Sequence, residues 1–313
     1  MTQRKIIAII PAFNEESTIR SVISETMKWV DQIIVADDGS TDNTASIARE
    51  LNTIVLSHSR RMGVGAAFSS GIDKALSLGA DIVVTLDADG QFDPNEIPKL
   101  IQPIIEGKAD FVTGSRFLND NQVPGMNKTK RIGNSFFTRL TNWLTGMNFT
   151  DTQCGFRAYS KEALLRLTTF GRYTYTQEVF LDLVNKNMRA IEVPVRVFSR
   201  KSGKSKVVRN PFSYGLRALK IILQAERDHH PLRFFTAISL CFIIPSITMF
   251  SFVFAHWLVS GKTSPFTSLL SISGTLFLVG IIFIVLALIA DMQGRQRKIQ
   301  EEILYLLRRQ RYS

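Results

Sequence analysis

Two long stretches near the carboxyl end of this chain contain no Asp, Glu, Lys or Arg. They are residues 234–259 and 264–290, and only Ser260 to Thr263 separate them. A helix needs about 20 mainly apolar residues to cross the hydrocarbon core of a bilayer, and each stretch is longer than that. We therefore expect a two-helix transmembrane hairpin within residues 233–290, which attaches the rest of the chain to a membrane.

The net charge of +11 is concentrated on both sides of this hairpin. Residues 194–233 carry ten basic and two acidic side chains, and residues 291–313 carry six and three, whereas residues 1–193 are nearly neutral. Positive flanks predict that both ends of the hairpin are cytoplasmic and that the loop with Lys262 lies outside. The high pI is better explained by an anionic lipid membrane than by nucleic acid, so we expect no nucleic-acid partner.

These patterns divide the chain into four predicted segments. They are a large domain over residues 1–208, a juxtamembrane amphipathic helix over 209–232, the hairpin over 233–290 and a basic amphipathic tail over 291–313. The tail would lie on the membrane or pack against a neighbouring subunit, which leaves a homo-oligomer open. We expect a cell-membrane protein whose large domain and both termini are cytoplasmic, because no cleavable apolar segment follows the first residues.

The large domain alternates short apolar strands with amphipathic helices. The predicted strands are Lys5–Ile10, Ile33–Ala36, Thr53–Leu56, a run beginning at Ile82, and Phe111–Thr113. Strict alternation of this kind indicates βαβ units and a Rossmann-like α/β fold with a mostly parallel sheet. Ligands of such sheets bind beyond the carboxyl ends of the strands.

Three of these strands lead into polar loops that contain acidic residues: Pro11–Glu16, Asp37–Ser40 and Asp87–Gln91. Asp87 and Asp89, with the carbonyl of Gln91, would offer only oxygen ligands, which suits Mg²⁺ or Mn²⁺ holding a diphosphate. A solvated acidic turn is the alternative for one such loop alone. Three of them on one edge of a sheet favour a binding site.

Two arginines and one turn leave alternatives open. Arg116 follows the fifth strand and would either bind phosphate on the same edge or form a surface ion pair. Arg131 would either bind phosphate or be a cation at the start of a helix. The Gly63-Val64-Gly65 turn would either cradle a phosphate or simply lead into a helix.

The three acidic loops, in this order and spacing, resemble those of the family 2 glycosyltransferases of GT-A fold. Within that family the chain is similar to the polyprenyl-phosphate hexosyltransferases, the group that includes dolichyl-phosphate mannose synthase. The resemblance covers roughly residues 5–210 and includes the segment Asp151–Arg157, which matches the family's Asp-x-x-Cys/Ser-Gly-Phe-Arg pattern. Where relatives often have Lys, this chain has Val64, so a Lys contact to the donor is not expected there.

The resemblance implies a role for each matching position. The donor nucleotide sugar would be bound by Pro11, Ala12, Asn14, Glu15, Asp37, Asp38, Asp87, Ala88, Asp89 and Gln91. The divalent cation, Mg²⁺ or Mn²⁺, would be held by Asp87, Asp89 and Gln91. The acceptor phosphate would be bound by Arg116, Arg131, Ser135, Arg200 and Lys206. The catalytic residues would be Asp89, Arg116 and Asp151.

The implied reaction is transfer of a hexose, either mannose or glucose, from a donor such as GDP-mannose or UDP-glucose to polyprenyl or dolichyl phosphate. The resemblance implies direct displacement by the acceptor phosphate, with inversion. One alternative is a processive polysaccharide synthase, against which the sequence has two spans and no Gln-x-x-Arg-Trp segment. Another is a membrane protein that binds nucleotide sugars without catalysis.

Overall fold

The structure is a computed structural model of the 313-residue chain. It describes residues 4–118, 126, 128–168, 176–199, 219, 223–224, 226–227 and 230–312. The chain forms two compact units, one comprising residues 1–222 with 302–313 and the other residues 223–301.

The first unit is built on a seven-stranded sheet. Its strands are β1 (Ile6–Ala12), β2 (Gln32–Asp37), β3 (Ile54–Ser57), β4 (Ile82–Thr85), β5 (Phe111–Ser115), β6 (Arg157–Ser160) and β7 (Ala190–Pro194). Their order across the sheet is β3-β2-β1-β4-β6-β5-β7. Only β6 runs against its neighbours, being antiparallel to both β4 and β5. The predicted mostly parallel α/β fold is therefore confirmed.

Helices cover both faces of this sheet. In the first unit they are α1 (Ile19–Thr26), α2 (Thr44–Glu50), α3 (Val64–Ser77), α4 (Ile97–Ile105), α5 (Lys128–Thr145), α6 (Lys161–Arg166) and α7 (Thr176–Asn185). Successive side chains of a strand point to opposite faces. Accordingly, Ile7 and Ile9 of β1 pack in one apolar cluster with Phe68 of α3, whereas Ala8 and Ile10 pack in the other.

The strand directions bring four loops to one edge of the sheet, which we call the carboxyl edge. Ala12 at the end of β1 pairs with Asp37 at the end of β2, and Ile9 pairs with Thr85 at the end of β4. Strand β5 runs parallel to β4 because β6 is antiparallel to both. The loops after β1, β2, β4 and β5 therefore share this edge with the segment that enters β6.

The second unit contains the two apolar stretches as helices. Helix α8 (Pro231–Ser260) and helix α9 (Thr267–Arg311) are both long and apolar enough to span a membrane. Buried serine hydroxyls join them, since Ser239 donates to the carbonyl of Gly280 and Ser246 to that of Ser273, each at 2.7 Å. Small residues allow such close approach between helices in lipid. A Cβ at Gly280 would lie only 2.4 Å from the side chain of Ile243.

Helix α9 continues through the residues of the predicted tail without a break. Its 45 residues correspond to about 68 Å of helix, compared with about 30 Å for the hydrocarbon core of a bilayer. The helix breakers Gly and Pro do not occur between Arg295 and Arg311, so nothing in the sequence ends the helix before its last residues.

The last part of α9, from residue 302 onward, belongs to the first unit and packs against other residues of that unit. Tyr305 is buried there, and its hydroxyl lies 3.1 Å from the carboxylate of Glu162. The guanidinium of Arg166 lies over the ring of Tyr305 at 3.9 Å, and Arg308 donates to the carbonyl of Leu167 at 2.6 Å. The apolar side chains of the predicted amphipathic face stay exposed, namely Ile299, Ile303, Leu304 and Leu307, so a membrane or a neighbouring subunit remains the prediction for that face.

Candidate active site

The loops after β1 and β2 are joined at the carboxyl edge by hydrogen bonds from polar side chains. Asn14 has a left-handed backbone with φ of 54°, and its side-chain oxygen accepts the N–H of Thr41 at 2.8 Å. In return, the N–H of Asn14 donates to the hydroxyl of Ser40 at 2.9 Å. Glu15, also predicted to bind the donor, donates its N–H to the hydroxyl of Thr44 at 2.8 Å. These contacts fix the predicted nucleotide loop against the next one.

The carboxylate of Asp38 organises the turn before α3. It is buried and accepts the N–H of Met62 at 2.7 Å and that of Gly63 at 2.8 Å. His58 lies 3.0 Å away on the same carboxylate. The neighbouring Gly39 has φ of +75°, and a Cβ there would lie 2.8 Å from the main chain of Arg60. The Gly63 turn is thus held by Asp38, and the sequence carried no signal for the part played by His58.

Asp37 is equally buried but acts within its own loop. Its Oδ1 accepts the N–H of Ser40 at 3.1 Å, three residues further on. Aspartate side chains commonly accept nearby main-chain N–H groups in turns. Asp37 and Asp38 are adjacent in the sequence but have different partners. Asp37 holds its own turn, and Asp38 holds the turn before α3.

The Asp87–Gln91 loop follows β4 on the same edge. Asp89 is buried, with 8 % of its surface exposed, and its Oδ1 accepts the N–H of Gln91 at 3.0 Å. Gly90 between them has φ of +69°, which favours glycine. Thr18 of the first loop donates to the carbonyl of Ala88 at 2.8 Å. The main-chain carbonyl of Gln91 accepts the N–H of Phe198 at 2.7 Å.

Asp87 lies against the segment that enters β6. A Cβ added to Gly155 would lie 3.3 Å from Oδ2 of Asp87 and 3.4 Å from Oδ1. The carbonyl of Gly155 also accepts the hydroxyl of Thr85 at 3.0 Å. Gly155 therefore leaves room for the Asp87 carboxylate and connects its loop to the Asp151–Arg157 segment.

Arg116 and Asp151, both predicted catalytic residues, form a bidentate ion pair. Nε of Arg116 lies 2.6 Å from Oδ2 of Asp151 and Nη2 lies 2.9 Å from Oδ1. The Asp151 side chain is fully buried and that of Arg116 is 18 % exposed. The sequence left open a surface ion pair for Arg116. The ion pair exists, but it is mostly buried and its partner is another predicted site residue.

Helix α5 lies next to this ion pair. Asn134 of α5 is buried, and its side-chain oxygen is 3.4 Å from Nη2 of Arg116. Arg131 and Ser135 flank Asn134 on the same helix, Arg131 being exposed and Ser135 half-buried. Asn134 was not predicted from the sequence, because a lone Asn in an amphipathic helix carries no recognisable pattern. Arg200 and Lys206, the other two predicted acceptor residues, lie outside the described residues.

Cys154 and Arg157 have structural positions in the same segment. Burial raises the pKa of the Cys154 thiol to about 12, and the Asp151 carboxylate adds to the effect. Such a thiol stays protonated at neutral pH, which agrees with a packing role. The fully buried Arg157 donates from Nη2 to the carbonyl of Thr152 at 3.0 Å. Arg157 thereby supports the segment that carries Asp151.

The sequence of this chain matches a known protein family. The sequence profile of the family described as glycosyl transferase family 2 matches residues 7–168, which is more than half of the chain. The chain belongs to glycosyl transferase family 2. This assignment confirms the predicted family and shows that the protein is a glycosyltransferase.

Relatives of this family 2 glycosyltransferase include proteins with named lipid acceptors. The chain is 36 % identical over 246 residues to a UDP-N-acetylglucosamine–dolichyl-phosphate N-acetylglucosaminyltransferase of Methanococcus voltae, covering 71 % of this chain and 98 % of the relative. It is 28 % identical to the polyprenol monophosphomannose synthase of Mycolicibacterium smegmatis, covering 66 % of this chain and 82 % of the relative.

The fold of this family 2 glycosyltransferase is similar to that of a solved structure. Glucosyl-3-phosphoglycerate synthase from Mycobacterium tuberculosis, in complex with Mn²⁺, UDP and phosphoglyceric acid, matches with a TM-score of 0.55 and 23 % identity. The match covers 72 % of this chain and 78 % of that one. This likeness confirms the predicted GT-A fold.

Proposed function

We propose that this glycosyltransferase transfers a hexose from a nucleotide diphosphate sugar to the phosphate of a membrane polyprenol. One observation carries the proposal, namely that the acidic Asp87–Gln91 loop and the Arg116–Asp151 pair lie on one sheet edge and are joined through Gly155. An acidic loop suits a metal-bound donor, and a cation beside it suits a second phosphate. The relatives named for dolichyl phosphate and polyprenol support the same acceptor class.

The donor side fits a divalent cation that is bound together with the diphosphate. Among the residues that the structure describes, no group of three or more His, Cys, Asp or Glu side chains is arranged to hold a metal alone. Asp87 and Asp89 would supply two carboxylates, and the donor phosphates the remaining oxygens, as is usual for Mg²⁺ at phosphate-transfer sites. Gln91 would contribute a carbonyl oxygen; its main-chain carbonyl accepts the N–H of Phe198 and keeps a second lone pair.

Support for a divalent cation also comes from the glucosyl-3-phosphoglycerate synthase structure, which contains Mn²⁺ and UDP. When bound, the cation would stabilise the negative charge of the leaving nucleoside diphosphate. We leave Mg²⁺ and Mn²⁺ as alternatives. Pro11, Ala12, Asn14 and Glu15 would line the nucleoside end of the same edge, in a loop that Ser40 and Thr41 hold in place.

The acceptor side combines cations with an exposed apolar surface. Arg131 is exposed on α5, one turn before Ser135. On the same helix Ile132, Phe136 and Trp143 are 70 %, 56 % and 66 % exposed, which is unusual for such large apolar side chains. Apolar residues with a Trp beside basic residues are typical of a helix at a membrane interface. This surface suits an acceptor whose phosphate is attached to a hydrocarbon chain in the bilayer.

The proposed chemistry needs no general base. A phosphate monoester has its second pKa near ~6 and is largely a dianion at neutral pH, so its oxygen can attack the anomeric carbon directly. One bond forms between that oxygen and the anomeric carbon, while the bond from this carbon to the donor diphosphate breaks, with inversion. Arg116, held by Asp151, and Arg131 would orient the acceptor phosphate and offset the repulsion between the two phosphate groups.

The similar proteins are named for different sugars. The two relatives described above are named for N-acetylglucosamine and for mannose, and the structural neighbour for glucose. We keep mannose and glucose as the proposed hexoses and include UDP-N-acetylglucosamine among the donors to be tested. We also propose that the catalytic domain and both termini are cytoplasmic, because the basic residues flank the two apolar helices.

A donor screen tests the proposed function. Purified full-length protein in detergent would be given polyprenyl phosphate and, in turn, radiolabelled GDP-mannose, UDP-glucose and UDP-N-acetylglucosamine, with Mn²⁺, Mg²⁺ or EDTA. The Asp89→Ala variant serves as the inactive control. We expect one donor to yield a lipid-linked monosaccharide with a metal and none with EDTA.

The other two outcomes correspond to the alternative functions. A polymer that grows with time would identify a processive synthase, and the proposed single transfer would then be wrong. Binding of a nucleotide sugar without any lipid product from any donor would identify a non-catalytic binding protein. Activity that EDTA does not reduce would leave the acceptor proposal standing but would contradict the metal site.

A further inference from the structure

Glu192 is a charged residue that the proposed chemistry does not use, although it contacts the site. It lies in the middle of edge strand β7, opposite Thr113 of β5. Its Oε1 accepts the N–H of Asp151 at 2.7 Å, and its Oε2 accepts the N–H of Thr150 at 2.8 Å. One carboxylate thus holds two successive main-chain N–H groups that are more than 40 residues away in the sequence.

The position of Glu192 is unfavourable for a charge. Burial raises the pKa of Glu192, although the N–H groups of Thr150 and Asp151 act in the opposite direction. A carboxyl whose pKa is raised by folding makes the protein less stable as the pH rises through that pKa, so this charge does not serve stability at neutral pH. The groups that lower this pKa are hydrogen-bond partners, namely Thr150, Asp151 and Ser115. Acids perturbed in this way are more frequent at functional sites.

The contacts continue from Glu192 to Arg116. Asp151 binds Arg116 through both carboxylate oxygens and also accepts its main-chain N–H at 3.2 Å. Thr150, the other residue held by Glu192, has its hydroxyl 2.5 Å from that of Ser115, the residue before Arg116. Both residues anchored by Glu192 therefore contact the Ser115–Arg116 dipeptide at the end of β5.

We infer that Glu192 is a positioning residue for glycosyl transfer, which sets the orientation of the Arg116 guanidinium by holding the main chain of Thr150 and Asp151. The inference rests on the function proposed above, because it assigns Arg116 to the acceptor phosphate. Glu192 itself contacts neither substrate in this arrangement. Its effect is expected on the rate of transfer and not on donor binding, because the Asp87–Gln91 loop receives no hydrogen bond from it among the described contacts.

The Glu192→Gln variant weakens this anchor with little change in volume. Its amide oxygen can still accept the N–H of Asp151 and, as Oε1 does at 3.0 Å, that of Thr150, but an NH₂ donor replaces Oε2, which accepts the N–H of Thr150 at 2.8 Å. The same substitution removes a half-buried charge, and thermal unfolding of the variant checks that it remains folded. We expect kcat to fall about tenfold, which corresponds to roughly 1.4 kcal/mol in activation free energy, with donor KM within twofold of the parent.

Asp110→Asn is the matched control, because it changes a carboxylate at the opposite end of the same two strands. Asp110 precedes β5 and accepts the N–H of Arg189, which precedes β7, at 3.0 Å, as well as Nε of the same arginine at 2.9 Å. A loss of β5–β7 pairing in general would affect both variants. We expect Asp110→Asn to lower the melting temperature and to keep kcat within twofold.

A second readout reports Arg116 without any substrate. In protein labelled with ¹⁵N-arginine, the Nε–H signal of Arg116 is identified by its loss in Arg116→Lys. We expect this signal to be slow in exchange with solvent in the parent and in Asp110→Asn, because Nε donates to Asp151 at 2.6 Å. We expect it to shift and to exchange at least several-fold faster in Glu192→Gln.

These readouts distinguish the inference from the proposed function. If the parent transfers sugar and Glu192→Gln keeps the parental kcat, or if Asp110→Asn loses as much kcat, the positioning role is wrong while the function stands. If the parent transfers no sugar from any donor, the proposed function fails, and the Arg116 signal alone decides whether Glu192 orients that side chain. An unchanged Arg116 signal in Glu192→Gln overturns the inference in either case.

Discussion

The two sides of the candidate active site are built in different ways. On the donor side, the loops after β1, β2 and β4 are held mainly by hydroxyl, amide and main-chain groups, such as those of Asn14, Ser40 and Thr18. On the acceptor side, Arg116 is held by a buried carboxylate, which is held in turn by Glu192. The carboxylates of the donor side accept main-chain N–H groups, whereas the carboxylate of the acceptor side pairs with a charged guanidinium.

This difference has consequences for tolerance to substitution. A neutral hydrogen bond contributes about 0.5–1.5 kcal/mol net, whereas removal of one partner from a buried ion pair costs roughly 3–5 kcal/mol. Supporting residues on the acceptor side should therefore be more sensitive than those on the donor side. The donor side should be most sensitive at the groups that bind the diphosphate and its cation.

The largest expected effect is at the groups that bind the diphosphate and its cation. Asp89→Ala removes one of the two carboxylates proposed to hold the cation, and we expect transfer to fall by about 10³-fold or more, which is roughly 4 kcal/mol in activation free energy. The measurement is initial rate against Mn²⁺ concentration, with the folded state checked by thermal unfolding. Full activity in this variant would contradict the metal assignment.

Asp93→Ala is the control for the same loop region. Asp93 accepts the N–H of Asn95 at 3.0 Å and begins the turn before α4, so its loss should lower stability by about 1 kcal/mol. We expect its transfer rate to stay within a few-fold of the parent. A comparable loss in both variants would mean that transfer depends on the conformation of the loop and not on the carboxylate of Asp89.

The second effect tests the charges of the acceptor side. Asp151→Asn keeps the shape of the side chain but removes the charge that faces Arg116 at 2.6 and 2.9 Å. We expect transfer to fall about 10²-fold, or roughly 2.7 kcal/mol, with donor KM changed less than threefold. Ser40→Ala, which removes the neutral hydroxyl that accepts the N–H of Asn14 at 2.9 Å on the donor side, should cost less than threefold in rate. Equal losses in the two variants would remove the distinction between the sides.

The same difference explains how much could be predicted from the sequence. The donor side was predictable because its residues stand in three contiguous motifs that follow apolar strands, and the strand pattern also gives the parallel sheet. On the acceptor side, Arg116 and Asp151 were each identified, but their ion pair was not. Glu192 lies in β7 and carries no local pattern, because its function depends on a contact across more than 40 residues.

The carboxyl-terminal residues show the same limit. The alternation of charged and apolar residues correctly predicts an amphipathic helix after the second apolar stretch. It does not identify which side chain packs against the rest of the chain. That side chain is Tyr305, which contacts Glu162 and Arg166 of α6 from about 140 positions earlier in the chain, whereas Ile303 and Leu307 stay exposed.

A smaller effect is expected from Arg131, which is exposed on α5. Arg131→Ala should raise the KM for polyprenyl phosphate about tenfold, or roughly 1.4 kcal/mol, and leave donor KM unchanged. Arg139→Ala is the matched control, because Arg139 is an exposed arginine two turns further along the same helix. Similar losses in both variants would indicate general attraction to anionic lipid. A parallel loss of donor affinity would show that Arg131 has a structural role.

The smallest effect is expected at Gly155, where the two sides meet. Gly155→Ala would place a Cβ 3.3–3.4 Å from both carboxylate oxygens of Asp87, so that the carboxylate must shift by a few tenths of an ångström. Metal ligands tolerate little displacement, and we expect the Mn²⁺ concentration for half-maximal rate to rise about three- to tenfold. Gly274→Ala, where a Cβ meets open space in α9, is the control. Because the shift moves Asp87 and leaves the Arg116–Asp151 contacts in place, the KM for polyprenyl phosphate should not change; a rise in that KM instead would mean that the two sides are not separate units.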